Sequence, residues 1–382
     1  MTSPSKIEQA ICLSHKSKLY YPILPIAPTR PMTRRNKANA KGRNTMKIIY
    51  MGTPHFAVPA LEALAKQHQV VAVLTQPDRP AGRGHKLTPS PVKVAAQALG
   101  IPIYQPLNLK LENTRQLRAT LKAYQAHIVV VAAYGLLLPK GILNMTPLGA
   151  INIHASLLPK YRGASPIHGA LLNGDKTAGI TIMHMDVGLD TGDMILKSAL
   201  DVAPGERFES LHHRLAQAGS SLLLEALTAL ENGTAPRVPQ NHPDSTYAPL
   251  INKTDAHLNW HWPHHKLINL TRAFDPWPGP YAMYQDAPLK IWTLEMADKI
   301  VDEIVDEIAS GIKKGPGCLH NKNEEKQPEP GTILAVDPQR GILIKTAEGS
   351  LWATELQGMG SKRMAASAFL KGRSIKVGTV LS

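Results

Sequence analysis

Cysteine is nearly absent. Only Cys12 and Cys318 occur in 382 residues, far apart and without metal-ligand spacing. That argues against a disulfide framework or a zinc scaffold and fits a reducing compartment. No apolar run approaches the roughly eighteen residues of a membrane span, so no membrane association is expected. Nucleotide fingerprints are also missing: a lone Gly52 follows the first apolar run, and neither GxGxxG nor GxxxxGK(S/T) occurs. Ser156 and Ser165 lie outside any GxSxG pattern, which disfavours a hydrolase serine. The pairs His212-His213 and His264-His265 lack ligand spacing with other His, Cys or acids, and are read as surface histidines.

Acidic residues are scarce in one region. Before Met46 stand nine Lys/Arg and a single acid, Glu8, so this segment carries +8 of the net +14. It has no hydrophobic periodicity and holds four prolines between Pro22 and Pro31. Residues 1–45 are therefore expected to be a disordered basic extension. An upstream start codon with Met46 as the effective start accounts for it; an organelle-targeting or nucleic-acid-contacting tail has the same composition.

What is present is a regular alternation from Met46 onward. The apolar runs "KIIYM", "VVAVLTQ", "IPIY" and "HIVVVAAY" alternate with helix-like segments: "FAVPALEALAKQ", one beginning near Ser90 and one around 110–124. Strands apolar throughout and separated by helices predict a mostly parallel sheet covered on both faces. "GAINIH" is the fifth strand, "GITIMHM" the sixth, and an amphipathic helix follows over about Phe208–Glu231. The length suits two domains: an α/β, Rossmann-like domain over 46–235, a turn-rich linker over 236–250, and a small β-barrel domain over 251–382. Short strand-like runs spaced by Gly, Pro and Asp carry the barrel prediction. Within it, about 298–328 reads as an insertion, a short helix and then a flexible loop.

Asn152 and His154 sit two apart at the end of the fifth strand and so share a face. In open α/β sheets ligands bind beyond the carboxyl ends of the strands. The following "DVGLDTGDM" offers Asp186, Asp190 and Asp193, and a loop leaving the same edge of the sheet could bring one beside the imidazole. An amide and an imidazolium can stabilise an oxyanion, with the carboxylate setting the imidazole tautomer. A satisfied core histidine with a strand-end cap gives the same pattern, and spacing alone leaves both open. A second feature, "QPDRPAGRGHKLTPSP" over 76–91, is a Pro/Gly-rich loop with Arg79, Arg83, His85 and Lys86. It suits a solvated surface loop or a phosphate-contacting one.

"INIHASLLPKYRGASPI" followed by "GITIMHMDVGLDTGDM" resembles the folate-dependent formyltransferases. The likeness extends through "GTPHFAVPALEAL", "TQPDRPAGRG", "VVVAAYGLLLP" and "RAFDPWPG", and is greatest to members acting on methionyl-tRNA. The resemblance covers Met46 to about the C-terminus, apart from the insertion. It implies Asn152, His154 and Asp190 as the catalytic trio and Ser156, Leu157, Leu158 and Pro159 as a folate-site loop. It also implies tRNA contacts from the basic loop at Arg79, Arg83 and Lys86. The co-substrate would be 10-formyltetrahydrofolate, with no metal, and the partner initiator Met-tRNA. A monomer in the bacterial cytoplasm is expected, or an organelle if the extension is a transit peptide. Three rivals remain: formylation of a sugar-nucleotide or purine-pathway amine, release of formate from the folate, and RNA binding without catalysis.

Overall fold

The computed structural model describes residues 45–81, 86–110, 114–298 and 328–382. The predicted extension and nearly all of the insertion lie outside these residues.

The first domain is built on seven strands: β1 (Lys47–Gly52), β2 (Gln69–Leu74), β3 (Ile103–Tyr104), β4 (Ile128–Ala132), β5 (Ala150–His154), β6 (Thr177–His184) and β7 (Met194–Asp201). Their spatial order is β7-β6-β5-β4-β1-β2-β3. β1 to β5 are parallel where they pair, whereas β6 and β7 are antiparallel. The apolar runs are explained by burial on both faces. Ile48, Tyr50, Val130, Ile151 and Ile153 fill one face, and Ile49, Met51, Val129 and Val131 the other. The first face is covered by α1 (Val58–Gln67) and by the long helix Phe208–Glu231, whose bounds match the amphipathic pattern. The helix Pro91–Ala98 starts where Ser90 accepts a hydrogen bond from the Lys93 amide and Pro91 occupies its first turn, a serine cap followed by proline.

The second domain is an antiparallel sheet of β8 (Tyr281–Tyr284), β9 (Ala287–Met296), β10 (Ile333–Asp337), β11 (Gly341–Thr346) and β12 (Gly349–Gln357), in the order β8-β9-β12-β11-β10. Irregularities in β9 and β10 curl it into a half-barrel, with its two ends unjoined among the described residues, as bulges do. No helix among the described residues is long and apolar enough to cross a membrane.

A buried carboxylate fastens the two domains. Asp275, in "RAFDPWPG", accepts from Arg207 at 2.5 Å and from Arg363 at 2.7 Å. Arg207 immediately precedes the long helix of the first domain, and it also donates to the Trp292 carbonyl and the Thr293 hydroxyl of β9. Arg363 continues to both oxygens of Glu355 and stacks over Trp292 at 4.6 Å.

Removing the shared carboxylate leaves two guanidinium groups facing each other. Asp275→Asn is expected to destabilise by about 2–4 kcal/mol, below the full cost of breaking a buried pair because both arginines are about one-third exposed. Denaturant titration measures it. The Arg363 hydrogen bonds hold the Glu355 carboxyl below its ordinary value. This contribution is complete above the unfolded pKa of roughly 4.3 and is lost as pH falls through the lower folded value. Glu355→Gln should therefore show a shallower acid limb in thermal midpoint against pH.

Candidate active site

β5 is where the two faces of the sheet diverge in chemistry. Ile151 and Ile153 enter the first core, while Asn152 and His154 point to the opposite face. Asn152 is half-buried between Val131 of β4 and Met183 of β6. Its amide makes no hydrogen bond to any described residue. His154 is 5% exposed, and both ring nitrogens face a partner. Nε2 lies 2.9 Å from the Tyr161 carbonyl oxygen, and Nδ1 lies 3.6 Å from Asp190 Oδ2. A carbonyl only accepts, so in the neutral ring Nε2 carries the proton and the Nδ1 lone pair faces Asp190. A proton taken up at Nδ1 would have a carboxylate beside it.

The Asp190 loop departs from the sequence reading in its route. β6 runs antiparallel to β5, with His184 opposite Ile151 and Thr181 opposite His154. The loop after β6 therefore leaves beside the start of β5, at the other edge of the sheet from His154. It reaches the imidazole by folding back. At Gly192 the backbone lies so close to the His184 carbonyl that a Cβ there would collide. Asp190 adopts φ +53°, a left-handed conformation that aspartate tolerates better than most residues. Its Oδ2 accepts from the Gly163 amide at 2.9 Å. The other two acids have local duties: Asp186 accepts from Gly188 N and Thr191 Oγ1, and Asp193 accepts from Arg237. Of the three candidates, Asp190 alone meets the histidine.

The loop after β5 is held just as firmly. Thr181, fully buried, donates to the Ser156 carbonyl and accepts from the Leu158 amide. The Ser156 hydroxyl is spent on the Lys160 carbonyl. Tyr161 adopts φ +59°, a strained conformation for a bulky residue that costs roughly 1–3 kcal/mol. Its amide donates to Thr246 Oγ1, and its hydroxyl to Asp175. Arg162–Gly163 pairs in parallel with Tyr247–Ala248. Gly163, at φ +107°, lies where a Cβ would come within 2.7 Å of the Ala248 carbonyl. The turn-rich segment read as a linker thus contributes Thr246, Tyr247 and Ala248 to the site's walls.

Ser156, Leu157 and Pro159 line a cavity of about 700 Å³ together with Tyr161, Asp175 and Lys176, while Leu158 is 1% exposed and packs inward on Met183 and Met194. Asn152, His154 and Asp190 do not line it. The loop expected at the folate site accordingly stands between that cavity and the trio. Sequence reading missed the apolar fringe on the two loops bordering β5: Leu137 is 85% exposed, Val187 69% and Leu189 48%.

At the second expected site, Arg79–Ala81 and Lys86–Thr88 pair as an antiparallel ribbon rather than a plain loop; Arg83 and His85 lie outside the described residues. Arg79 donates to Gln76 Oε1, and Gln76 Nε2 donates to the Gly135 carbonyl just beyond β4, fixing the ribbon's base at the carboxyl ends of the parallel strands. Lys86 is exposed and Asp78 pairs with Lys93 at 2.7 Å.

The paired histidines are not all on the surface. His264 is buried with Nε2 at 2.6 Å from Thr346 Oγ1, and His212 packs against Phe56 and Phe208, where burial pushes its pKa down. Adjacent helical residues diverge by about 100°, so one of each pair turned inward. Among the described residues no group of three His, Cys, Asp or Glu side chains could hold a metal ion.

Comparison with known proteins gives the family. Residues 46–227 match the formyl transferase family, and 250–374 match its C-terminal domain. The methionyl-tRNA formyltransferase of Desulforamulus reducens is 42% identical over 337 residues, 88% of this chain and 98% of that one. That of Thiobacillus denitrificans is 44% identical over 337 residues, 88% and 99%. Among solved structures, the N-formyltransferase of Helicobacter canadensis in complex with folinic acid and dTDP-3-aminofucose aligns with TM-score 0.54 at 18% identity, over 82% of this chain and all of that one. HypX from Aquifex aeolicus in complex with tetrahydrofolic acid aligns with TM-score 0.53 at 15% identity, over 86% of this chain and 47% of that one. At such identities the likeness is one of fold. The chain belongs to the formyl transferase family and, within it, to the methionyl-tRNA formyltransferases.

Proposed function

We propose that Asn152, His154 and Asp190 transfer the formyl group of 10-formyltetrahydrofolate to the methionine α-amino group of initiator Met-tRNA. The observation that carries the reading is an Asn152 amide with no hydrogen-bond partner among the described residues, on the same strand face as an imidazole whose Nδ1 faces Asp190. The incoming amine must be neutral, which is accessible because α-amino groups titrate at roughly 7.7–8.0. As the amine nitrogen bonds to the formyl carbon, negative charge gathers on the formyl oxygen. Asn152 donates to that oxygen. His154 takes the proton lost by the amine at Nδ1, with Asp190 balancing the imidazolium, and returns it to the departing folate nitrogen. The new C–N bond replaces the old one, and no oxidant is needed. The exposed Leu137, Val187 and Leu189, on the loops after β4 and β6, would suit a flat apolar ring.

The acceptor reading rests on the ribbon. Arg79 and Lys86 bring cations to the ligand edge on a fixed base, and a phosphodiester backbone is the matching partner. A small amine acceptor would make no use of it.

Asn152→Ala is expected to lower kcat by roughly 10²–10³ with little change in stability, the usual cost of one oxyanion donor. His154→Ala should fall at least as far, so retained activity in that variant would sink the mechanism. Formylation of charged initiator tRNA beside charged elongator methionine tRNA tests the acceptor; formate release or small-amine formylation in place of a tRNA product would overturn it. Arg79→Ala and Lys86→Ala should each weaken tRNA binding and reduce the log–log salt slope by about 0.7–0.9, leaving the folate KM unchanged. An unaltered slope would remove these residues from the interface.

A further inference from the structure

The segment joining the two domains sends one side chain back into the site. Gln240 is 6% exposed, and its amide is bonded on both sides. Nε2 donates to the carbonyl oxygens of Asp190 and Gly192, each at 2.9 Å. Oε1 accepts from Arg162 Nε at 3.0 Å and from Arg162 Nη2 at 2.8 Å. One amide therefore ties the loop carrying Asp190 to the residue that follows Tyr161. Those two positions supply the groups facing the two ring nitrogens of His154.

We propose that Gln240, acting with Arg162, is a positioning residue for the transfer: it sets the spacing between the Asp190 carboxylate and the Tyr161 carbonyl, and so the orientation of His154. This rests on the roles given above to His154 and Asp190. Two features make the clamp necessary. Asp190 and Tyr161 both hold left-handed backbone conformations, which persist only where the surroundings over-determine them. The chemistry of the clamp also selects glutamine. The Asp190 and Gly192 carbonyls only accept and the Arg162 guanidinium only donates, so the side chain between them needs two donors at one side and an acceptor at the other. Glutamate would turn an acceptor toward two carbonyls, and lysine would turn a cation toward a guanidinium.

The test uses the full chain with initiator Met-tRNA and 10-formyltetrahydrofolate. Gln240→Glu keeps the shape and the Arg162 pairing; Gln240→Leu removes all four bonds. Both should lower kcat by roughly 10- to 100-fold, as a misplacement of about 1 Å does, with KM for each substrate within about threefold. In an Asp190→Asn background the same changes should cost less than about twofold, because residues acting as a unit are not additive. If the leucine variant melts early, the glutamate variant decides. A glutamate variant with kcat within about threefold of wild type overturns the proposal, as does a loss that multiplies fully in the Asp190→Asn background. Raised KM for both substrates together with a lowered melting temperature in both variants would assign Gln240 a purely structural role, and also overturns it. Asp190→Asn retaining wild-type activity would instead refute the catalytic reading itself, a result distinct from a defective Asp190→Asn that Gln240 does not influence.

Discussion

A buried imidazole with a polar group at each ring nitrogen cannot turn freely, and that constraint organises the surroundings of His154. His154 is nearly buried, so each of its nitrogens must meet a polar group. One meets a backbone carbonyl, which fixes the tautomer; the other meets a carboxylate, which fixes where charge can be borne. Both groups arrive on loops, and loops are the least rigid parts of a protein. The structure answers with anchors: Thr181 from the sheet, Thr246 from the connector and, for Asp190, the Gly163 amide from the short strand Arg162–Gly163. Asn152 needs no such care, since a strand paired on both sides already holds its backbone.

The reversal of β6 is the topological decision behind this arrangement. Had β6 continued the parallel order, the loop carrying Asp190 would leave at the same edge as the loop after β5, and the two would compete for one space. Running the other way, β6 places its first residues beside the end of β5, so Thr181 can reach the loop after His154. Its last residues send the Asp190 loop back across the face from the opposite edge. The imidazole is thus approached from two directions.

Much of this was legible in the residues. Runs apolar on both faces carried the layered sheet, and the 3.6-residue pattern carried the helix Phe208–Glu231, because burial writes directly into composition. The Asn-x-His spacing carried a shared face because strand alternation is obligatory. Strand direction was not legible, since an apolar run reads alike both ways. Nor was the choice among Asp186, Asp190 and Asp193, which depends on how a nine-residue loop folds over Gly192. His264 and His212 turned inward because their helices pack on neighbours distant in sequence. The connector was the largest surprise. Its Pro, Asn, Asp and Thr residues suit a free turn and a wall of hydrogen-bonding groups equally well.

The bridge at Asp275 has a consequence for recognition. A large acceptor touching both domains would meet two contact surfaces held at a fixed distance, because the ion pairs that dock them are largely withdrawn from solvent. Contacts on two such surfaces would behave as two ends of one grip with a high effective concentration. A short mimic of the acceptor end, engaging one surface only, forfeits that advantage even if every contact it makes is native. For an acceptor that reached both domains, the stiffness of this bridge would reward simultaneous engagement over any single contact.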